Sequence, residues 1–293
     1  MSVQLQLIIG ATKLLNVKKI FTLKGQRFLD AIEKKQKKIA APLEKQFKGY
    51  KKEVIEKQGI KSYLFSQKRK ELIVYLAGGG FVLPISSLHW EYLDFLSASV
   101  QKDFFVLNYP LVPAAMVEEL MLYIQELLEP MLDNYESITL MGDSAGGNIA
   151  LSYIQSSYNK EKRIKTAVAL SPLVDFSMSN PEIKETAKRD TIVSPIALPE
   201  IRQMYAPDKS LTDPLISPMY GDFSMFDIIV LSGTRDITNP DTKKMAEMNP
   251  NIIYIEKKEL PHVFMLYQML PEAQEVNAQL IAELKREKRR EDA

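Results

Sequence analysis

The chain has 293 residues, 46% of them apolar, enough to bury the core of one large α/β domain or two ordinary ones, and no run nears the ~18 apolar residues of a membrane span. It contains no cysteine, which excludes disulfides, thiolate metal sites and a cysteine nucleophile, and its two histidines argue against a histidine-built metal site. The net charge of +1 hides an asymmetry: residues 1–70 hold 18 Lys and Arg against 5 Asp and Glu, and residues 71–293 hold 20 against 32.

Residues 1–49 predict basic helices, with Leu14, Ile20, Phe21, Phe28, Leu29 and Ile32 interleaved with Lys and a break at Pro42. A solvated surface is the simpler reading of the charge. A weak contact with an anionic membrane surface is the sharper one. Met1 to Gly10 is apolar but has no basic start and no small-residue cleavage site, so no leader peptide is expected. A cytoplasmic location fits the absence of cysteine.

Val54 to Phe65 predicts a hairpin turning at Gln58-Gly59. Leu72 to Leu76 is a buried-type strand running into Ala77-Gly78-Gly79-Gly80, and Phe104 to Tyr109 is the next strand. Val117 to Leu132 has helical spacing at Leu120, Tyr123, Ile124, Leu127 and Leu128. Strands follow at Ile138–Met141, Thr166–Leu170, Ile228–Ser232 and Ile252–Ile255, and a helix at Pro271–Lys288. Between them, residues 171–226 are rich in Pro, Ser and Asp, too long for a plain connection, and predict an insertion with its own helices. The alternation beyond residue 70 implies the α/β class, a mostly parallel sheet flanked by helices. The expected division is residues 1–49, then a domain over 50–293 carrying the 171–226 insertion.

The chemistry centres on Gly142-Asp143-Ser144-Ala145-Gly146-Gly147. Strand, sharp turn with Ser at its apex, then helix is the nucleophile-elbow pattern, G-x-S-x-G. No Lys follows the glycines, so a phosphate loop is excluded. A Ser hydroxyl needs a base within reach, and His262 is the one histidine downstream of Ser144. The acid is expected after the preceding strand: Asp236 is the candidate, with Asp241 close by in sequence. Oxyanion donors are expected from the N–H groups of Ala145, Gly78 and Gly79. His89 and Trp90, placed before a helix, read as a surface His and a packing Trp. Phe81, Val82, Leu173, Val174, Met204, Tyr205 and Phe264 are candidate pocket walls, each equally readable as core.

Taken together the chain resembles the α/β-hydrolases of the hormone-sensitive-lipase-like group, bacterial esterases among them. The carrying residues are the elbow, Ala77-Gly78-Gly79-Gly80-Phe81, Asn108-Tyr109-Pro110, Ser171-Pro172-Leu173-Val174-Asp175, Asp213-Pro214-Leu215-Ile216-Ser217-Pro218, Gly233-Thr234-Arg235-Asp236 and His262-Val263-Phe264. The order is consistent over residues ~70–285. The resemblance implies an α/β-hydrolase fold with a helical lid from residues 1–49 and the insertion. It also implies hydrolysis of carboxylic esters, of short to medium acyl length, with no cofactor and no metal. One departure stands out: the family has His where this chain has Ala77, so the glycine loop lacks its usual brace. An amidase or deacetylase on the same triad, or a catalytically weak ligand-binding protein, stays open. The expected partner is a small ester, with no nucleic acid; a homodimer is a further expectation.

Overall fold

The computed structural model describes residues 2–285. Helix α1 spans Val3–Leu14, a 3-10 turn Val17–Thr22, and α2 Gln26–Gln36. Strands β1 (Lys51–Lys57) and β2 (Ile60–Ser66) form the expected hairpin, and β3 (Glu71–Leu76) enters the sheet. There follow α3 (Ser87–Ser99), β4 (Asp103–Val106), α4 (Val117–Leu128), β5 (Ser137–Asp143), α5 (Ala145–Gln155) and β6 (Thr166–Leu170). Helices α6 (Ile183–Arg189) and α7 (Leu198–Tyr205) lie within residues 171–226, the expected insertion. Then come β7 (Asp227–Gly233), α8 (Asn239–Met248), β8 (Ile253–Lys257) and α9 (Pro271–Lys285). The last three residues of the helix expected to Lys288 lie outside the described residues.

The eight strands run in the order β1-β2-β4-β3-β5-β6-β7-β8. β1 and β2 are antiparallel to their neighbours and the other pairs are parallel. Leu72 to Leu76 are fully buried because helices cover both faces of a parallel sheet. From β3 the chain crosses to β4 on one side and then to β5 on the other. That reversal leaves a crevice at the carboxyl ends of β3 and β5, where ligands bind in open α/β sheets. The elbow and the glycine loop both lie there.

Two expected elements are shorter. β4 ends at Val106: Asn108 turns away to bond the Lys61 carbonyl and the Ser62 hydroxyl, and Pro110 and Pro113 have no N–H for a ladder. α4 ends at Leu128, where Pro130 interrupts the helical bonding and a 3-10 turn follows.

Apolar side chains form one cluster on each face of the sheet. One holds Leu72, Val74, Leu76, Phe81, Val82, Leu173, Val174 and Tyr205, and the other Ile73, Tyr75, Trp90, Tyr92, Phe264 and Leu266. Residues 2–49 reach both. Phe28 and Ile32 of α2 are buried in the first; Leu5 and Ile8 of α1, with Phe47, are buried in the second. Phe47 stacks on Phe65 of β2 at 3.8 Å between ring centroids. The segment also grips the insertion. Thr12 and Thr191 share a 2.7 Å hydroxyl contact, Lys18 Nζ donates to the carbonyls of Ala187 and Asp190, and Glu200 accepts from the Gly25 N–H. Val3, Leu7, Leu14 and Leu15 remain exposed beside Lys13. Among the described residues no helix is long and apolar enough to cross a membrane.

Candidate active site

Ser144 sits between β5 and α5 at φ 52°, ψ −117°, a strained conformation for a residue with a Cβ, costing of the order of 1–3 kcal/mol. Its surroundings enforce it. The Ser144 N–H donates to the Leu170 carbonyl at 2.8 Å, and α5 starts at once behind it. A Cβ on Gly146 would lie 1.9 Å from the Leu76 carbonyl oxygen, so only glycine lets α5 come this close to β3. Ser144 is half-buried, and its hydroxyl takes no hydrogen bond among the described residues.

Asp236 lies past the end of β7 and His262 past the end of β8. His262 Nδ1 is 2.9 Å from Asp236 Oδ1, with both side chains buried. The two loops are laced together: the Arg235 N–H donates to the Leu260 carbonyl and the Arg235 guanidinium pairs with Glu259. The Val263 N–H donates to Ser171 Oγ at 3.0 Å, which ties the His262 loop to the segment after β6. Asp241 lies apart, in the first turn of α8, its pKa pushed up to about 6 by burial and the charge of Asp175.

Two carboxylates that sequence reasoning left aside frame this pair. Asp190, between α6 and α7, accepts from the Ile192 and Val193 N–H groups through Oδ1 and from the Ile237 N–H, next to Asp236, through Oδ2. Burial and the Asp236 charge hold its pKa above the usual carboxylate range. Burial disfavours a charged His262 imidazole, but the charges of Asp236, Asp190 and Asp143 outweigh it and raise its pKa above the ordinary value. Asp236 Oδ1 also accepts from the Thr238 N–H, while Oδ2 is buried without a partner among the described residues.

The second carboxylate is Asp143, one residue before Ser144 and 2% exposed. Its Oδ1 accepts from Tyr75 Oη at 2.6 Å and from the Gly78 N–H at 2.9 Å. A Cβ on Gly78 would lie 2.3 Å from Asp143 Oδ2, so the loop reaches the carboxylate only as glycine. This corrects the expectation for Gly78. Its N–H is committed to Asp143 and is not free for an oxyanion. The Gly79 and Gly80 N–H groups, half-exposed, take no acceptor among the described residues. Gly80 lies under Phe21 of the N-terminal segment, and Gln36 of α2 donates to the Val82 carbonyl.

His89 is corrected too. It is not a surface residue before a helix but the third residue of α3, 9% exposed, with Nε2 at 3.3 Å from Asp143 Oδ2. Trp90 packs as expected and is buried. Of the pocket candidates, Phe81, Val82, Leu173, Val174 and Tyr205 are buried in one cluster, with Met204 half-buried against it. Phe81 stacks on Tyr205 at 4.5 Å and meets Phe176, which the sequence did not single out, at 5.4 Å. Phe264 packs on the opposite face of the sheet, where its 3-10 turn meets α3 and α9, and so leaves the pocket group.

Comparison with known proteins agrees with this architecture. A triacylglycerol lipase of Mycobacterium tuberculosis is 26% identical over 171 residues, 57% of this chain and 35% of the lipase. An acetyl-hydrolase of Streptomyces hygroscopicus is 23% identical over 68% of this chain and 70% of its own length. The chain thus spans about a third of the lipase and about two thirds of the acetyl-hydrolase. Among solved structures, an esterase/lipase from an uncultured bacterium superposes with a TM-score of 0.78 at 18% identity, covering 97% of this chain and 98% of that one. A hormone-sensitive-lipase homologue from a metagenome library gives 0.74 at 21% identity, covering 95% and 97%. The family described as having the alpha/beta hydrolase fold matches residues 73–266, two thirds of the chain, and this protein belongs to it.

Proposed function

We propose that this protein hydrolyses carboxylic esters of short to medium acyl length through an acyl-enzyme on Ser144, His262 and Asp236. The observation that carries the reading is the buried 2.9 Å pair of His262 Nδ1 and Asp236 Oδ1, at the same sheet edge as the strained Ser144. With Nδ1–H donating to Asp236, the Nε2 lone pair is free to take the Ser144 proton. Ser144 Oγ attacks the ester carbonyl. His262 then gives the proton to the departing alkoxide, and the same base activates water for deacylation.

The negative charge of each tetrahedral intermediate falls on the carbonyl oxygen. The N–H groups of Gly79, Gly80 and Ala145 receive it; Ala145 opens α5, so the helix N-terminus adds its dipole. Gly78 serves by anchoring the loop. No cofactor takes part in these steps.

Residues 1–49 and 171–226 act as the lid, a reading supported by the contacts of Thr12, Lys18 and Gly25 with the insertion and of Phe21 with Gly80. The stacked rings of Phe81, Phe176 and Tyr205 beside the oxyanion loop favour the short end of the acyl range. The exposed Val3, Leu7, Leu14 and Leu15 near Lys13 favour contact with an anionic lipid surface.

The test is twofold. A fluorophosphonate probe should label the wild-type protein at Ser144, and chromogenic esters from acetyl to long-chain should show a rate maximum at short to medium chains. An unlabelled, inert but folded protein would leave the ligand-binding alternative in its place.

A further inference from the structure

The residue directly before the glycines is Ala77, whose methyl group has no hydrogen bond to give the loop. The loop is nevertheless anchored, through Asp143. That carboxylate is buried, and two of its three donors come from β3 and the loop itself: Tyr75 Oη and the Gly78 N–H, both on Oδ1. Oδ2 faces the third, Nε2 of His89, which arrives from the first turn of α3.

The other edge of the imidazole settles which nitrogen carries the proton. The Ser86 backbone N–H lies 3.1 Å from His89 Nδ1. A backbone N–H can only donate, so Nδ1 is an acceptor with its lone pair turned toward Ser86. Ser86 Oγ, 2.7 Å from the same nitrogen, can donate as well, because its lone pairs still accept the His89 N–H of the capping box. The proton of the neutral ring is then on Nε2, aimed at Asp143. The helix cap selects the tautomer, and the tautomer supplies the missing donor.

We propose that His89 is a positioning residue for the oxyanion loop: its Nε2–H fixes the Asp143 carboxylate, which in turn holds Gly78 and sets the direction of the Gly79 and Gly80 N–H groups. The role rests on the ester-hydrolase reading, since a loop with no oxyanion to bind needs no such aim.

The experiment compares wild type, His89→Ala and His89→Gln on one chromogenic ester and against a trifluoromethyl ketone, which forms a tetrahedral adduct with Ser144. Gln places an amide N–H near the position of Nε2–H. His89→Ala should lower kcat by about 10- to 100-fold, less than the loss of a donor itself, with KM changed by no more than about twofold. Ketone affinity should fall in proportion to kcat, and His89→Gln should recover most of both. Equal loss in the two variants, a change confined to KM, or a kcat within about twofold of wild type would overturn the proposal. Nitrogen-15 NMR of the wild-type protein gives a test that needs no variant to fold: the His89 ring should carry its proton on Nε2 with Nδ1 as acceptor, and an Nδ1–H ring sinks the idea. A wild-type protein that hydrolyses no ester would defeat the functional reading and this inference with it, whereas an active wild type with an indifferent His89→Ala defeats the inference alone.

Discussion

The two halves of the site each rest on a buried carboxylate, and the two carboxylates are satisfied differently. Asp143 accepts from three donors, one of them on Oδ2. Asp236 accepts two hydrogen bonds through Oδ1, from His262 and Thr238, and its Oδ2 has none among the described residues. A carboxylate ringed by donors is a fixture: its charge is absorbed locally and what it gives its neighbours is geometry. A carboxylate short of donors in a low-dielectric setting keeps more of its field for the partner it has. On the proposed reading, the oxyanion half is therefore built for rigidity and the acid–base half for electrostatic bias. The neighbours fit this division. Asp143 is backed by hydrogen-bond donors, whereas Asp236 is backed by a second carboxylate, Asp190.

The largest effects should come from the acid–base half. Ser144→Ala should lower kcat by about a million-fold and abolish fluorophosphonate labelling while the protein keeps its melting temperature. Undiminished turnover would remove Ser144 from the mechanism. Asp236→Asn keeps the base and the nucleophile but loses the charge and the acceptor that selects the tautomer, so the fall should be about ten-thousand-fold. A loss as small as that of His89→Ala would erase the distinction drawn between the two carboxylates.

How much of this was legible in the sequence follows the range of the interactions. Ser144, Asp236 and His262 could be singled out because each ends or follows a strand and their order along the chain is fixed by the elbow pattern. The hairpin at Gln58-Gly59 was legible for the same local reason. Gly78 was misassigned because consecutive glycines look alike until the register against Asp143 is known. His89 and Asp190 were missed because they join their partners across 54 and 47 residues of chain, from a helix cap and from the insertion. One signal was available for His89. A charged residue wedged between a buried strand and the nucleophile must find donors, and with Ala at 77 the chain offered one other upstream histidine.

The proposed lid should give intermediate effects, since it touches the oxyanion half through Phe21 and Gln36 and the acid–base half through Lys18. Deletion of residues 1–22 removes α1 and the 3-10 turn but leaves α2 and Phe47 in the cores. The truncated protein should still label at Ser144 and shift its preference among acyl chains. Any binding of wild type to anionic vesicles should be weakened by salt and lost with the segment. An unchanged chain-length profile would remove the lid assignment.

The smallest and most specific prediction concerns Asp190. Its carboxylate faces the acid–base pair from the insertion, and the residues whose charge bears on His262 are Asp236, Asp190 and Asp143. Only neutral imidazole can take the Ser144 proton, so activity should rise with pH along a limb at the His262 pKa, which these charges hold above the ordinary ~6.5. Asp190→Asn removes one favouring charge, so the limb should move to lower pH while the plateau changes little. Stability should respond with the matching sign. A His pKa raised by folding adds stability that is fully present below the unfolded value and disappears as pH rises through the folded one. The variant should therefore lose less stability than wild type between mildly acidic and mildly alkaline pH. It carries a separate, pH-independent cost: Oδ1 can still serve Ile192 and Val193, but an amide nitrogen in place of Oδ2 would meet the Ile237 N–H as donor against donor, at about 1–3 kcal/mol. The pH profile of kcat/KM separates the two, because lost packing lowers the whole curve and a lost charge slides it. A limb that stays in place, or moves to higher pH, would show that Asp190 only clamps the loop at Ile237 and that His262 takes its bias from Asp236 alone.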